Sequence, residues 1–226
     1  MLLSFTPKPK SITIFTIGDS TMANKTTPGD HPAERGWGMM LPEFFKLNVI
    51  VQNHAKNGRS SKSFRTEGSW AVVYSQIKRG DYVFIQFGHN DQKADTLLHS
   101  DPETTYKAYL TRYITETRER GGIPVLFTSI VRRSFKTDGT LNDTHGAYID
   151  VVRQVAKEHK VICIDLNAAT HKLVQNLGDE PSKALYMWVD DRKDNTHLNE
   201  KGARAVAQLA VDSIRIKIPE LKKQLR

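Results

Sequence analysis

Five short runs along the chain, 12–17, 48–53, 82–87, 124–130 and 161–166, are rich in β-branched and aromatic residues. Each is apolar nearly throughout, the pattern of a strand covered on both faces rather than the alternation of a half-exposed one. Longer segments between them carry helical spacing. Residues 102–120 read as a helix with Asp101 as N-cap, Pro102 at its first position and Gly121-Gly122 beyond its end. Residues 148–159 place Ile149, Val152, Val155 and Ala156 on one face, and 200–214 repeat the pattern through Ala203, Val206, Ala207, Ala210 and Ile214. Alternating strands and helices predict the α/β class, a parallel sheet between two helical layers with right-handed crossovers. In that architecture ligands bind beyond the carboxyl ends of the strands, so chemistry is expected in the residues that follow each run.

Four polar blocks stand at such places. Gly18-Asp19-Ser20-Thr21 follows the first run, and a sharp turn there would expose the Ser20 hydroxyl; alone, the block also reads as a turn or a helix cap. Asn57-Gly58-Arg59-Ser60-Ser61 follows the second, where Gly58 offers a backbone N–H with no side chain in the way, although Asn-Gly is commonly a plain turn. Gly88-His89-Asn90-Asp91 follows the third, giving either a side-chain amide donor at Asn90 or a simple cap. Asp194-Asn195-Thr196-His197-Leu198 precedes the last helix and reads as a tight turn. It brings a carboxylate to an imidazole, or else it is a capping cluster with a surface histidine. Together the four supply a nucleophile, a base, an acid that orients the base, and donors for an oxyanion.

Composition narrows the partners. The formal charge of +8 over 226 residues favours a polyanion, but the basic residues are dispersed and no nucleic-acid-binding signature accompanies them. No apolar stretch reaches membrane-spanning length, so no membrane insertion is expected. The single cysteine, Cys163, lies in an apolar run and reads as a buried inert thiol. Phosphate-loop, dinucleotide and zinc-protease spacings are absent. Residues 1–10 read as a disordered lead or signal-peptide remnant and 11–226 as one domain. Trp37 and Trp70 are candidates to stack on a sugar ring, and Arg59 and Arg133 to meet a carboxylate. The remaining histidines, His31, His54, His99, His145, His159 and His171, read as surface or structural.

In order and content the four blocks resemble the GDSL or SGNH hydrolase family. Further segments, Gly36-Trp37-Gly38, Glu67-Gly68 and the stretch from Gly80 to Asp91, resemble its rhamnogalacturonan acetylesterase branch. The resemblance implies a flavodoxin-like five-stranded sheet of order 2-1-3-4-5 and no cofactor or metal. It implies Ser20, Asp194 and His197 as catalytic residues, and Ser20, Gly58 and Asn90 as the oxyanion hole. It also implies removal of acetyl groups from an anionic, galacturonate-bearing polysaccharide or oligosaccharide, in a secreted or periplasmic setting. Met39 departs from the pattern, since a glutamine follows Gly-Trp-Gly in many relatives. The rival expectations are an esterase of the same fold on another acyl ester, such as acetylxylan or a thioester, and a carbohydrate-binding protein without catalysis.

Overall fold

In the computed structural model, which describes residues 11–26 and 29–226, the five apolar runs form the strands of one parallel sheet. The expected lead over 1–10 lies outside the described residues. In chain order the strands are β1 (Ile12–Gly18), β2 (Glu34–Arg35), β3 (Val49–Asn53), β4 (Tyr82–Gln86), β5 (Ile123–Phe127), β6 (Ile162–Ile164), β7 (Tyr186–Met187) and β8 (Asp194–Asn199). The helices are α1 (Ser63–Thr66), α2 (Ser69–Gln76), α3 (Lys107–Glu119), α4 (Ala147–Glu158), α5 (Leu166–Leu177), α6 (Asp179–Ser182), α7 (Glu200–Lys217) and α8 (Pro219–Lys222). The main sheet runs β3-β1-β4-β5-β6, which is the expected 2-1-3-4-5 when its strands are counted by themselves. All of its pairings are parallel.

The apolar runs are unbroken because successive side chains feed two cores. Ile14, Phe84, Val125, Phe127 and Ile164 pack on one face against Ala203, Val206, Ala207, Ala210 and Ile214 of α7. Phe15, Ile17, Val83, Ile85 and Leu126 pack on the other against α2, α3 and α4 through Val73, Leu110, Ile114, Val152 and Val155. The three-layer sandwich follows from that division. Asp101 caps the segment before α3 as expected, accepting from the Thr104 N–H at 3.1 Å, although the first turn is wound wide, with Tyr106 N–H reaching the Asp101 carbonyl at 2.8 Å.

Three elements depart from expectation. The 124–130 run leaves the sheet after Phe127, where the Thr128 and Ser129 hydroxyls bond to Asp165 (2.8 Å) and to the Phe87 carbonyl (2.9 Å). The 161–166 run yields a short β6, because Asp165 caps α5 by accepting from the Ala168 N–H at 3.1 Å. Residues 194–199, expected to be a turn, form β8 in a second sheet of order β2-β8-β7. In β8 only Leu198 is buried, so no apolar alternation announces it.

Cys163 is half-buried, and burial pushes its thiol up to about 11. No helix of the described residues is long and apolar enough to cross a membrane.

Candidate active site

β1 sits at the switch point, with β3 on one side and β4 on the other, and the turn after it carries Ser20. Gly18 serves close approach rather than an unusual dihedral angle: a Cβ there would lie 2.6 Å from the Gln86 carbonyl oxygen of β4. Asp19 then shapes the turn. Its carboxylate accepts from the backbone N–H (2.9 Å) and hydroxyl (2.8 Å) of Thr21, and its carbonyl accepts from Met22 and Ala23. The Gly36-Trp37-Gly38 segment braces the same turn. Trp37 N–H bonds to the Thr21 carbonyl at 2.9 Å, and its indole N–H donates to Gln86, whose amide in turn donates to the Thr21 hydroxyl.

Two neighbouring turns bring donors into the cleft that Ser20 lines. Gly58 has φ +74°, and a side chain there would meet nothing within 4 Å, so its backbone faces open space. Among the described residues, neither the Gly58 N–H nor the Ser20 N–H has a hydrogen-bond partner. Asn90 donates one amide hydrogen to the Arg59 carbonyl at 3.0 Å, which fixes the amide and leaves the second hydrogen for a ligand.

The opposite wall is β8. His197 Nε2 lies 2.9 Å from the Ser20 hydroxyl, and its Nδ1 lies 2.7 Å from Asp194 Oδ2. With Asp194 ionised, Nδ1–H donates to the carboxylate and Nε2 is left to accept from Ser20. Burial raises the Asp194 pKa, but the His197 ring and the N–H groups of His197 (3.0 Å) and Thr196 (2.8 Å) outweigh it and hold the carboxyl well below its usual range. Ion pairs tie this wall to the rest. Arg192 bridges Asp194 (3.2 Å) and Glu34 of β2 (3.1 Å), Glu34 meets the buried Lys25 ammonium at 2.8 Å, and Lys25 also donates to Asn57 beside Gly58. The chain of contacts runs from Asn57, the neighbour of Gly58, round to Asp194.

The walls enclose a cleft of about 630 Å³ holding Ser20, Gly58, Asn90, Asp194 and His197 together. Its remaining lining is Lys25, Gly29, Asp30, His31, Glu34, Asn57, His89, Lys93, Arg132, Arg192 and Thr196, with no hydrocarbon side chain among them. Beneath it, Asp19 faces His89 at 3.3 Å. Burial raises the Asp19 pKa, but His89 and Thr21 bring it down to about 2, while burial pushes the His89 pKa down.

The expected sugar contacts are corrected. Trp37 is fully buried in the core and cannot stack on a ligand. Trp70 is buried in the opposite core, with its indole N–H on Glu116. Arg133 is buried against Asp179, Ser182 and Trp188, and donates to Asn195 at 2.8 Å, so it holds the β8 strand from behind. Arg59 lies outside the cleft lining, its guanidinium paired with Glu67 at 2.7 Å. Met39 accepts the Lys25 N–H at 3.3 Å and is likewise outside the lining. Sequence reasoning missed Arg132, Lys93, Arg192, Lys25 and Glu34. His31, expected to be surface or structural, lines the cleft and faces Asp190 at 3.6 Å. No group of three or more His, Cys, Asp or Glu side chains among the described residues is placed to hold a metal ion.

A serine hydroxyl, an imidazole and a carboxylate lie in line at the switch point of an αβα sandwich, the arrangement that a serine-nucleophile hydrolase requires. The chain belongs to the GDSL-like lipase/acylhydrolase family, whose model matches residues 16–205, and is a carboxylic ester hydrolase. It is 40% identical over 214 residues to the rhamnogalacturonan acetylesterase RhgT of Bacillus subtilis, covering 91% of this chain and 90% of that protein. It is 35% identical over 203 residues to the probable rhamnogalacturonan acetylesterase YesY of the same organism, covering 89% and 92%. The crystal structure of YxiM from Bacillus subtilis superposes with a TM-score of 0.81 at 30% identity, over 91% of this chain and 56% of that longer one.

Proposed function

We propose that this protein removes acetyl groups from rhamnogalacturonan, with Ser20 as nucleophile, His197 as general base and Asp194 as the group that orients and charges the imidazole. The observation that carries the chemistry is the 2.9 Å approach of His197 Nε2 to the Ser20 hydroxyl, with Asp194 on the other ring nitrogen. The Ser20 proton passes to Nε2 as Oγ attacks the acetyl carbonyl carbon. The N–H groups of Ser20 and Gly58 and the Asn90 amide hold the oxyanion. Collapse expels the sugar hydroxyl, protonated by His197, and leaves acetyl-Ser20. Water, deprotonated by the same imidazole, then releases acetate.

The substrate reading rests on the two named acetylesterase relatives and on the character of the cleft. Ligand pockets are usually mostly apolar. This one is lined by polar and charged groups and glycine, which suits a short acyl group on a hydroxylated, charged polymer and offers a long acyl chain nothing to bury against. Pectin degradation outside the cytoplasm, in a secreted or periplasmic setting, belongs to the same proposal, because the polymer has to be met where it lies. Acetate release is to be measured on acetylated rhamnogalacturonan, acetylated xylan and an aryl acetate. Preference for the first supports the reading; preference for xylan contradicts it. Equal release by native protein and Ser20→Ala removes the catalytic assignment, and release no faster than the uncatalysed background by either favours a binding protein.

A further inference from the structure

The cleft's charges are not evenly satisfied. Lys25 is neutralised by Glu34, and Arg192 by Glu34 and Asp194. Arg132 is different. Its guanidinium donates to the carbonyls of Thr144 (3.1 Å) and His89 (3.2 Å), and to the Gln92 amide oxygen (2.6 Å) in the orientation that satisfies both side chains. All three acceptors are neutral. Lys93, exposed on the turn whose backbone closes on Asn90 at 3.2 Å, has no acidic partner among the described residues. Positive charge is therefore in surplus on the Asn90 side of Ser20. Asp19 lies within Coulombic reach of Arg132, but its carboxylate is bonded to Thr21 and turned to His89, so no carboxylate touches the guanidinium, whose terminal nitrogens are held by Thr144, His89 and Gln92 while its Nε–H has no partner among the described residues. Among the described residues, Arg132 is also the one side chain shared by the cleft and an adjoining hollow of about 410 Å³, whose lining includes Phe135, Thr144, Asn195 and the Arg133–Asp179 ion pair. A polymer leaving the cleft on that side passes over it.

We infer that Arg132, assisted by Lys93, is the carboxylate-recognition point of this site, holding a uronate of the polysaccharide in the neighbouring hollow while the acetylated sugar sits over Ser20. The inference rests on the acetylesterase reading and adds the residues that read the polymer's charge. A planar guanidinium already oriented by neutral acceptors is suited to attract a carboxylate, and no carboxylate of the protein is in contact with it to take that place. Arg59 and Arg133, which the sequence suggested for this task, are each consumed by an internal carboxylate.

The test compares kcat/KM on an acetylated rhamnogalacturonan oligosaccharide with that on the same oligosaccharide after its carboxyl groups are reduced to alcohols, with an aryl acetate alongside. Native protein is expected to prefer the acidic form by about tenfold or more, the scale of a charge-assisted hydrogen bond. Arg132→Gln is expected to bring the ratio close to one, chiefly through KM, and Arg132→Lys to retain part of it. Lys93→Gln, at an exposed position where folding is not at stake, is expected to lower the ratio by about two- to threefold. A native ratio of one, or a ratio unmoved by Arg132→Gln in folded protein and by Lys93→Gln, overturns the inference and leaves the acetylesterase reading standing. Turnover of the aryl acetate with release from neither oligosaccharide overturns both.

Discussion

The two walls of the cleft are built by different physics. Ser20, Gly58 and Asn90 stand on turns that leave the buried parallel sheet, and their positions follow from strand register and apolar packing on two faces. Asp194 and His197 stand on β8, a polar strand whose placement depends on two short pairings, the Arg133 clamp on Asn195 and the chain of ion pairs through Arg192, Glu34 and Lys25. The wall that carries Ser20 is held by the hydrophobic core; the wall that carries His197 is held by charge and hydrogen bonds. Catalysis needs both in register to within a few tenths of an ångström, so the second wall is where activity is most easily lost without unfolding.

The largest effect that sharpens this comparison comes from the point where the walls meet. Ser20→Ala and His197→Ala are each expected to lower kcat on an aryl acetate by on the order of 10⁴-fold or more, and the double variant to be no worse, because the pair acts as a unit. Additive losses would show that they act separately. Next is the sheet wall's donor: Asn90→Ala is expected to cost roughly 10²–10³-fold in kcat, with KM little changed. A loss confined to KM would place Asn90 in ground-state binding instead. The ionic wall is tested by Glu34→Gln. Lys25 and Glu34 have side chains only 1% and 8% exposed, and removing one partner of a buried pair costs roughly 3–5 kcal/mol. For a chain of this length that lowers the melting temperature by roughly 10 °C, and activity should fall with it as β2 and β8 loosen. An unchanged melting curve would mean that the tie contributes nothing.

The smallest effect concerns Asp91, buried beneath the sheet wall and bonded to the Ser61 N–H at 3.0 Å. Burial lifts its pKa from 3.8 to about 7, against the pull of the Ser61 bonds. Between those values the folded protein binds the proton that the unfolded chain has lost, so this group's contribution to stability is greatest below about pH 4 and declines as pH rises through 7. Asp91→Asn should therefore gain stability relative to native protein on going from pH 5 to pH 8. A stability difference that does not vary with pH would contradict this assignment.

The legibility of the sequence follows the same division. The parallel sheet could be read because burial on both faces makes each strand apolar throughout, and its polar blocks stood out against those runs. β8 could not: a strand with Leu198 as its one buried residue looks like a loop, so chemistry and spacing brought Asp194 and His197 forward as candidates while their secondary structure was missed. The tryptophans misled because an indole with an acceptor inside the protein, Gln86 for Trp37 and Glu116 for Trp70, has the same sequence appearance as one offered to a sugar. Arg132 and Arg133 are adjacent in the chain yet serve differently, Arg132 lining the cleft and Arg133 paired with Asp179 outside it, and no pattern in the sequence distinguishes them. Arg192 and Glu34 are brought together by the pairing of β2 with β8, which sequence periodicity does not report.

The most direct test of the meeting of the two walls is to trap the acyl-enzyme. Protein mixed with an aryl acetate, quenched in acid within the first turnover and digested should carry one acetyl group on the peptide containing Ser20. The label should be absent in Ser20→Ala and strongly reduced in His197→Ala. An acetyl group found on another side chain, or turnover at the native rate with Ser20 replaced, would contradict the account.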